Sequence, residues 1–233
     1  MRIEHIGDAT LYLADCMDIV RDMPDKAFDL AIVDPPYGIG LKGENPIKNK
    51  SDPESVFKTA WDQSAPGQEY FDELKRVTVN QIIWGGNYFL DILGYCKAPI
   101  LWDKLNGESL YADGEFAWTS PGLPRNLKIF RHQWCGAFKD SERGNIKIHP
   151  TQKPVALYKW LLSRYAKPGD TILDTHGGSG SSVIACMDSG HSITWIEKDE
   201  DYFNAALERI EIAYRQPRLF DDPKPKAVQG TLL

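Results

Sequence analysis

The sequence predicts an α/β fold with a mainly parallel sheet and helices on both faces. Short apolar, β-branched runs bounded by turn residues indicate strands. Several of these runs, such as LAIV and QIIW, are apolar at successive positions, which is typical of strands that are buried on both faces. Segments with apolar residues at helical spacing lie between the strands. Strands that alternate with helices favour an α/β domain.

The elements follow one another in a regular order along the chain. Strands are expected at 11–14, 28–33, 81–84, 99–102, 115–119, 171–173 and 192–196. Helices are expected at 70–79, 155–165, 181–188 and 202–214, and the second of these follows Pro154, a residue type favoured in the first turn. The stretches 38–64 and 217–233 lack this periodicity and are expected to form a long loop and a flexible tail.

Length and composition restrict the classes of protein that fit. The chain has 233 residues and a formal net charge of −6, and its four cysteines are widely separated. The length favours one domain over residues 1–216 with a small insertion at about 104–148. The scattered cysteines favour a reducing cytoplasm and argue against structural zinc. No apolar run approaches the roughly 20 residues of a membrane span. We therefore expect a soluble cytoplasmic protein without a metal site.

Charge is unevenly distributed. The segment from Arg125 to Lys153 carries seven Lys or Arg residues against two acids, with aromatic residues between them. This basic segment is either a solvated loop whose aromatic residues pack on the core or a nucleic-acid-binding surface. The acidic remainder argues only against unspecific coating of nucleic acid.

The first junction with chemical character runs from Thr171 to Ser182. A predicted strand ends at Asp174, a Gly-rich turn follows, and a helix begins. The next predicted strand ends in a second acid, Glu197. Glycines allow close approach of a ligand to the backbone, and an acid at the second strand tip can accept hydrogen bonds from ribose hydroxyls. This arrangement predicts a nucleotide-type cofactor site, although a tight turn also needs glycines for structural reasons alone.

The second junction is Asp34-Pro35-Pro36-Tyr37, which directly follows the strand predicted at 28–33. Each proline fixes its φ angle and removes a donor, so the carbonyls of this rigid turn stay free to accept hydrogen bonds. The Asp34 carboxylate and the Pro35 carbonyl form a pair of acceptors beside an aromatic ring. Such a site suits a flat group that bears an NH₂, although a Pro-Pro turn can also simply end a strand.

Together with His149-Pro-Thr-Gln-Lys-Pro154, these two junctions resemble the β-group of amino-methylating DNA methyltransferases, and they are most similar to the N6-adenine enzymes. The resemblance covers residues from about Leu11 to Tyr214. It implies a Rossmann-like methyltransferase fold in which the catalytic tetrapeptide precedes the cofactor turn, a circular permutation of the commoner motif order. It also implies S-adenosylmethionine as cofactor, double-stranded DNA as partner, and a monomer or a homodimer, as in restriction-modification systems.

The resemblance assigns roles to individual positions. It implies catalysis by Asp34, Pro35, Pro36 and Tyr37, with Tyr37 stacking on a base flipped out of the duplex. The positions that match cofactor-binding segments are Asp15, Cys16, Asp34, Thr151, Lys153, Asp174, His176, Gly178, Ser179, Gly180, Ser181 and Glu197. The basic segment lies where the family has its target-recognition region, which implies DNA contacts by Arg125, Lys128, Arg131, Lys139, Arg143 and Lys147.

Some features depart from the family or leave alternatives open. Thr175 and His176 occupy the usual Pro and Phe positions of the cofactor turn, so His176 is expected to pack over the cofactor as Phe would. N4-cytosine methylation would use the same geometry, although Asp34 favours adenine because the cytosine enzymes more often have Ser there. A nicotinamide-dependent dehydrogenase and a catalytically inactive DNA-binding module are more remote alternatives. The run from Trp84 to Phe89 either lines the target-base pocket or forms a turn before a short helix.

Overall fold

The computed structural model describes residues 1–40, 62, 64–107, 112–135, 138–142 and 147–216, without the side chains of Cys135 and Phe138. Three predictions fall outside these residues: the DNA contact by Arg143, most of the loop at 38–64, and the tail at 217–233. 

The described part of the chain contains eleven strands and six α-helices. They are, in chain order, β1 (Arg2–Ile6), β2 (Ala9–Leu13), α1 (Cys16–Val20), β3 (Phe28–Val33), α2 (Gln68–Val77), β4 (Thr78–Trp84), a 3-10 turn (Gly86–Tyr88), α3 (Leu90–Leu93), β5 (Ile100–Asp103), β6 (Gly114–Thr119), β7 (Lys128–Arg131), β8 (Trp134–Cys135), β9 (Phe138–Lys139), α4 (Val155–Tyr165), β10 (Thr171–Asp174), α5 (Ser181–Ser189), β11 (Ser192–Glu197) and α6 (Glu200–Arg215).

Nine of these strands form one sheet in the order β1-β2-β11-β10-β3-β4-β6-β5-β7. β1 pairs antiparallel with β2, and β6 pairs antiparallel with both of its neighbours. The remaining neighbours pair in parallel, so seven of the nine strands run in one direction. β8 and β9 form a separate antiparallel pair. The mostly parallel sheet is the one that the sequence predicts.

Successive residues of the central strands point to opposite faces of the sheet, and each face is covered by helices. On one face Leu30 and Ile32 of β3 belong to a core that includes Leu157 of α4 and Phe203 of α6. On the other face Ala31 and Val33 belong to a core with side chains from α1, α2 and α3. Burial on both faces explains why β3 reads as a continuous apolar run.

Two helix N-termini are capped by acidic residues at the same edge of the sheet. The Asp15 carboxylate accepts the backbone N–H of Met17 at 2.9 Å at the start of α1. The Asp199 carboxylate accepts the N–H groups of Asp201 and Tyr202 at 2.9 and 3.2 Å at the start of α6. Because these caps fix how α1 and α6 leave β2 and β11, they also fix the walls of the site described below.

Part of the basic segment is built into the sheet. The segment contributes the edge strand β7 and the β8–β9 pair, so it is more than a solvated loop. The insertion expected at about 104–148 likewise includes β6 and β7, and β6 is an inner strand of the sheet. Residues of this segment therefore share one rigid support with β3.

Candidate active site

The site lies where the connections of the sheet diverge. β10 and β3 are neighbours; from β10 the chain continues to β11 on one side, and from β3 it continues to β4 on the other. Ligands bind in the crevice outside the carboxyl ends of such a pair of strands. A cavity of about 410 Å³ opens there, lined by residues that include Asp34 and the turn after β10. The two junctions predicted from the sequence thus meet at one point.

Asp174 at the end of β10 holds the Gly-rich turn together. Its carboxylate accepts the Ser182 hydroxyl at 2.6 Å and the backbone N–H of His176 at 3.2 Å, and the residue is only 1% exposed. Burial raises the pKa of Asp174 to about 7. Asp174 is absent from the lining of the cavity, as are Gly180 and Ser181. These three residues support the cavity wall from behind.

Glu197 at the end of β11 anchors the same turn from the other side. One carboxylate oxygen accepts the N–H of Gly178 at 2.8 Å, and the other accepts the N–H of Asp199 at 2.8 Å. Each oxygen retains a second lone pair that can accept another hydrogen bond. Since Glu197 lines the cavity, its carboxylate is placed where an acid for ribose hydroxyls is expected.

His176 is held by polar neighbours inside the cavity wall. Its Nδ1 lies 3.0 Å from the Thr175 hydroxyl and 3.4 Å from the Tyr70 hydroxyl, and its ring meets Tyr70 edge-on. Burial lowers the pKa of His176 to about 3, so the ring is neutral near pH 7. A neutral aromatic ring at this position fits the expectation that His176 takes the place of Phe.

Further predicted cofactor residues also line the cavity. They are Asp15, Cys16, Asp34, Thr151, Lys153, Gly178 and Ser179. The lining includes other residues that the sequence analysis did not select, notably His149, Tyr158 and Tyr202. The His149 ring meets Tyr202 edge-on with a centroid distance of 4.4 Å. His149 lies inside a quoted motif, whereas Tyr158 and Tyr202 are apolar-face residues of helices and carry no sequence signal of their own.

The catalytic candidate Asp34 is bound through both carboxylate oxygens. Oδ1 accepts the Tyr37 hydroxyl at 2.7 Å, and Oδ2 accepts the Lys153 ammonium at 2.5 Å. Lys153 also lies 3.0 Å from Glu115, and Glu115 in turn lies 2.5 Å from the Lys104 ammonium. Lys153 therefore contacts the catalytic candidate directly and also lines the cavity, in the segment that the resemblance places over the cofactor.

Tyr37 packs within a group of aromatic rings. Its ring stacks on Tyr88 with a centroid distance of 4.9 Å and an interplanar angle of 18°, and it meets Phe89 edge-on. Gly85 lies close against the same ring. The run from Trp84 to Phe89 forms a 3-10 turn that leads into α3, so it is a turn before a short helix and also packs on Tyr37. Pro35 is buried, and Pro36 lines the cavity.

Known DNA methylases are similar to this chain in sequence. Residues 101–208 match the model of the N6/N4 DNA methylase family, described as DNA methylase. The type II methyltransferase M.HinfI of Haemophilus influenzae is 25% identical over 90% of this chain and 71% of its own length. The chain is thus similar to DNA methylases of the N6/N4 family over these residues.

Solved structures of DNA methylases share the fold. The complex of M1.HpyAVI with SAM aligns with a TM-score of 0.58 and 24% identity over 87% of this chain and 98% of that one. The cytosine-N4-specific PvuII DNA methyltransferase aligns with a TM-score of 0.55 and 13% identity over 88% and 91% of the two chains. The predicted Rossmann-like methyltransferase fold is confirmed.

The predicted DNA-contacting residues do not all lie together. Arg131 ends β7 at the same edge of the sheet as the active site, and its guanidinium lies 3.4 Å from Asp103. Lys139 lies over the Trp134 ring, and Lys147 is exposed. Lys128 begins β7, and Arg125 precedes it, so both lie toward the opposite edge. Lys147 interacts electrostatically with Lys139, Glu115 and Lys153, so Arg131, Lys139 and Lys147 lie on the side of the candidate site.

Two further findings concern the described residues. Within them, no group of three or more His, Cys, Asp or Glu side chains is arranged to hold a metal ion. None of the helices assigned above is both long enough and apolar enough to span a bilayer.

Proposed function

We propose that this protein is an S-adenosylmethionine-dependent DNA methyltransferase that methylates the exocyclic N6 of adenine in duplex DNA. One observation carries the proposal: Asp34-Pro35-Pro36-Tyr37 follows β3 beside the cofactor-type turn that follows β10, and a single cavity touches both. The family match supports DNA methylation in general, and Asp34 supports adenine over cytosine through the resemblance of the tetrapeptide to adenine enzymes.

The chemistry follows from the acceptors that the turn presents. The exocyclic amine of adenine is a poor nucleophile because its lone pair is delocalised into the ring. Hydrogen bonds from its two N–H groups to the Asp34 carboxylate and the Pro35 carbonyl would draw the nitrogen towards tetrahedral geometry. The lone pair would then point into the cavity, and methyl transfer would be direct, without a covalent intermediate on the protein.

The cavity suits the proposed cofactor. Its volume of about 410 Å³ lies in the range of small-molecule sites. Glu197 would accept hydrogen bonds from the ribose hydroxyls, and the segment of Asp15 and Cys16 would contact the adenine ring. His176 would pack against the methionine end. When bound, the cofactor supplies an electrophilic methyl group on a sulfonium centre. The M1.HpyAVI complex with SAM, a structural neighbour, supports this choice.

The target base would have to leave the duplex, because the amine cannot reach the cavity from within the base stack. Tyr37 is proposed to stack on the flipped base, which contributes roughly 1–3 kcal/mol. The Tyr88 ring already stacks on one face of the Tyr37 ring. We therefore expect Tyr88 to move when the base enters or to stack with the base. Tyr88 is about half exposed, which leaves it room to move.

N4-cytosine methylation is the second candidate. It is favoured by the similarity in fold to the cytosine-N4-specific PvuII enzyme, and cytosine offers an exocyclic amine to the same acceptors. Incubation of unmethylated plasmid DNA with labelled S-adenosylmethionine, followed by digestion to nucleosides, separates the two. N6-methyladenine supports the proposal, N4-methylcytosine supports the second candidate, and an absence of label in DNA would overturn both.

Asp34→Asn tests the catalytic assignment. The variant loses the charge that strengthens the hydrogen bond to the amine, so we expect the rate of methyl transfer to fall by about 10²–10³-fold. Cofactor affinity measured by calorimetry is expected to stay close to that of the wild type. Asp91→Asn, an exposed change in α3, serves as the control and should be fully active. An Asp34→Asn protein with wild-type turnover would contradict the assignment.

A further inference from the structure

Four charged side chains of alternating sign form a row beside the catalytic turn. The row runs from Lys104 after β5, through Glu115 of β6 and Lys153 before α4, to Asp34 after β3. Its contacts are 2.5 Å from Lys104 to Glu115, 3.0 Å from Glu115 to Lys153, and 2.5 Å from Lys153 to Asp34. We call these four residues the charge row. It connects residues from four separate segments of the chain at one place.

Burial makes the charge row unusual. The Lys153 side chain is 2% exposed, that of Asp34 12%, and those of Lys104 and Glu115 are about one fifth exposed. Taking charges out of water is costly, and buried ion pairs are often no more stabilising than apolar residues of similar size. Stability alone is therefore a weak reason to bury Lys153 here. The contact of its ammonium with the catalytic candidate suggests a different reason.

Lys153 lines the cavity, as the family resemblance implies, and its ammonium also reaches Asp34. This ammonium donates a hydrogen bond to Asp34 and forms an ion pair with Glu115, an oxygen of which lies 3.0 Å away. The ammonium also lies 5.5 Å from the centroid of the Trp84 ring, which closes the other side of its pocket. Lys153 is thus oriented towards the methyl acceptor half of the site.

We propose that Lys153, anchored by Glu115, is a positioning residue that keeps the Asp34 carboxylate ionised and in a fixed orientation for the acceptor amine. This inference rests on the proposed function and adds two residues, Lys153 and Glu115, to the machinery that prepares the amine. Asp34 remains the catalytic residue, because it alone in the charge row would touch the substrate.

The first part of the inference concerns ionisation. The ionised carboxylate of Asp34 has hydrogen-bond acceptors and no donor, whereas the protonated acid would present an O–H donor to the amine. Burial raises the pKa of Asp34, and the Lys153 ammonium opposes this effect. The titratable and charged groups around Asp34 are Lys153, Glu115, Tyr37, Tyr70, Tyr158 and Asp174. Lys153 is the cation in direct contact, so its removal is expected to favour the protonated acid.

The second part concerns orientation. Lys153 holds Oδ2 and Tyr37 holds Oδ1, so the carboxylate plane is fixed from two sides. Each oxygen keeps a further lone pair for an N–H group. Glu115 fixes Lys153 in turn, and although burial opposes its ionisation, the two lysines lower the pKa of Glu115 to about 2. Glu115 is therefore an anion near neutral pH, and its ion pair at 3.0 Å keeps the Lys153 ammonium in place.

Lys153→Met is the main test. It removes the ammonium while keeping a flexible side chain of similar length. We expect the acid limb of the pH profile of kcat to move to higher pH by about 1–3 units, because an opposite charge at this distance lowers a carboxyl pKa by that amount. We also expect turnover at the optimum to fall by about 10²-fold, the cost of misplacing a reacting group by about 1 Å.

Glu115→Gln separates orientation from charge. This variant retains the ammonium but loosens it, so turnover is expected to fall without an upward shift of the acid limb. Lys159→Met removes an exposed lysine of α4 that pairs with Asp188, and it should leave both the profile and turnover unchanged. If Lys153→Met does not fold, as judged by circular dichroism, Lys153→Gln keeps a polar group in the pocket and tests the same shift.

A second measurement does not depend on catalysis. Titration of ¹³C-labelled Asp carboxyl groups by NMR, with the Asp34 signal identified from its absence in Asp34→Asn, should give a higher pKa in Lys153→Met than in the wild type. An unchanged Asp34 titration, or an unchanged pH profile, in a folded Lys153→Met protein would overturn the inference. Failure of the wild type to methylate DNA would instead overturn the proposed function, and the NMR titration would still decide whether Lys153 controls Asp34.

Discussion

Gly85→Ala is expected to damage catalysis through the position of Tyr37. Gly85 follows β4 with φ of +66°, a left-handed conformation that costs an alanine roughly 1–2 kcal/mol. A Cβ added here would lie 2.1 Å from Cε1 of Tyr37, 2.5 Å from Cδ1 and 2.6 Å from Cζ. These three distances place the methyl over the ring face, because a carbon beyond the ring edge would lie farther from Cδ1 and Cζ.

The size of the effect follows from the overlap. Ordinary contact between the methyl and the ring needs at least 3.4 Å, so the Tyr37 ring would have to retreat by about 1.3 Å. This movement pulls the Tyr37 hydroxyl from Asp34, to which it donates at 2.7 Å. A displacement of about 1 Å at a reacting centre costs about 10²-fold in rate, so we expect a loss of that order in kcat.

Gly190→Ala is the matched control. Gly190 has the same left-handed backbone as Gly85, with φ of +72° and ψ of 29° against +66° and 18°, but an added Cβ there meets nothing within 4 Å. Both variants should lose similar stability in urea unfolding, whereas only Gly85→Ala should lose methyl transfer, measured with labelled cofactor on plasmid DNA. Equal turnover in the two variants would refute the reasoning that the Gly85 contact sets the position of Tyr37.

Two further predictions concern the supports of the cavity. Arg209 donates a hydrogen bond to the Ser179 carbonyl at 2.6 Å and forms an ion pair with Glu142 at 2.5 Å, and each of the two charged side chains is 15% exposed. Because Arg209→Met would leave the buried Glu142 charge without this partner, we expect it to lower the free energy of unfolding by about 3 kcal/mol. A change below about 0.5 kcal/mol would contradict this. Burial and nearby lysines lower the pKa of His149 to about 3, so between pH about 6.5 and 3 the unfolded chain binds the proton that the folded one excludes. The free energy of unfolding should therefore decrease as the pH falls through that window, by about 1–2 kcal/mol at pH 5. In urea unfolding at several pH values, His149→Gln should reduce this dependence on pH. An unaltered dependence would show that His149 is protonated in the folded protein.

The sequence pattern predicts the buried elements best. β3 and α4 have the predicted bounds, Phe28–Val33 and Val155–Tyr165, because both are strongly apolar and end at clear turn signals. Helix α2 ends at Val77, two residues before the prediction, because Thr78 and Val79 are β-branched and begin β4. The strands β1 and β7 were not predicted. Both are edge strands with exposed residues, so they lack the continuous apolar run that marks the inner strands.

One part of the candidate site could be predicted from the sequence, and another part could not. The meeting of Asp34 with the turn after β10 follows from motifs at strand ends, since parallel strands place their carboxyl ends at one edge. The contact of Lys153 with Asp34 spans 119 positions of the sequence, and no local pattern pairs two such residues. The stacking of Tyr88 on Tyr37 also depends on how the turn after β4 packs. Tertiary geometry alone supplies these parts of the site.

The pairing of β3 with β10 has a consequence for how the site comes into existence. Asp29 and Thr171, which join the two strands through a 2.8 Å hydrogen bond, are 142 positions apart. During synthesis the turn from Asp34 to Tyr37 is complete long before the strand that completes its pocket has been made. Closing so long a segment has an entropic cost that only the finished sheet offsets. A growing chain therefore carries the tetrapeptide but no binding pocket, and the capacity to bind ligands arises only with the folding of the last third of the molecule.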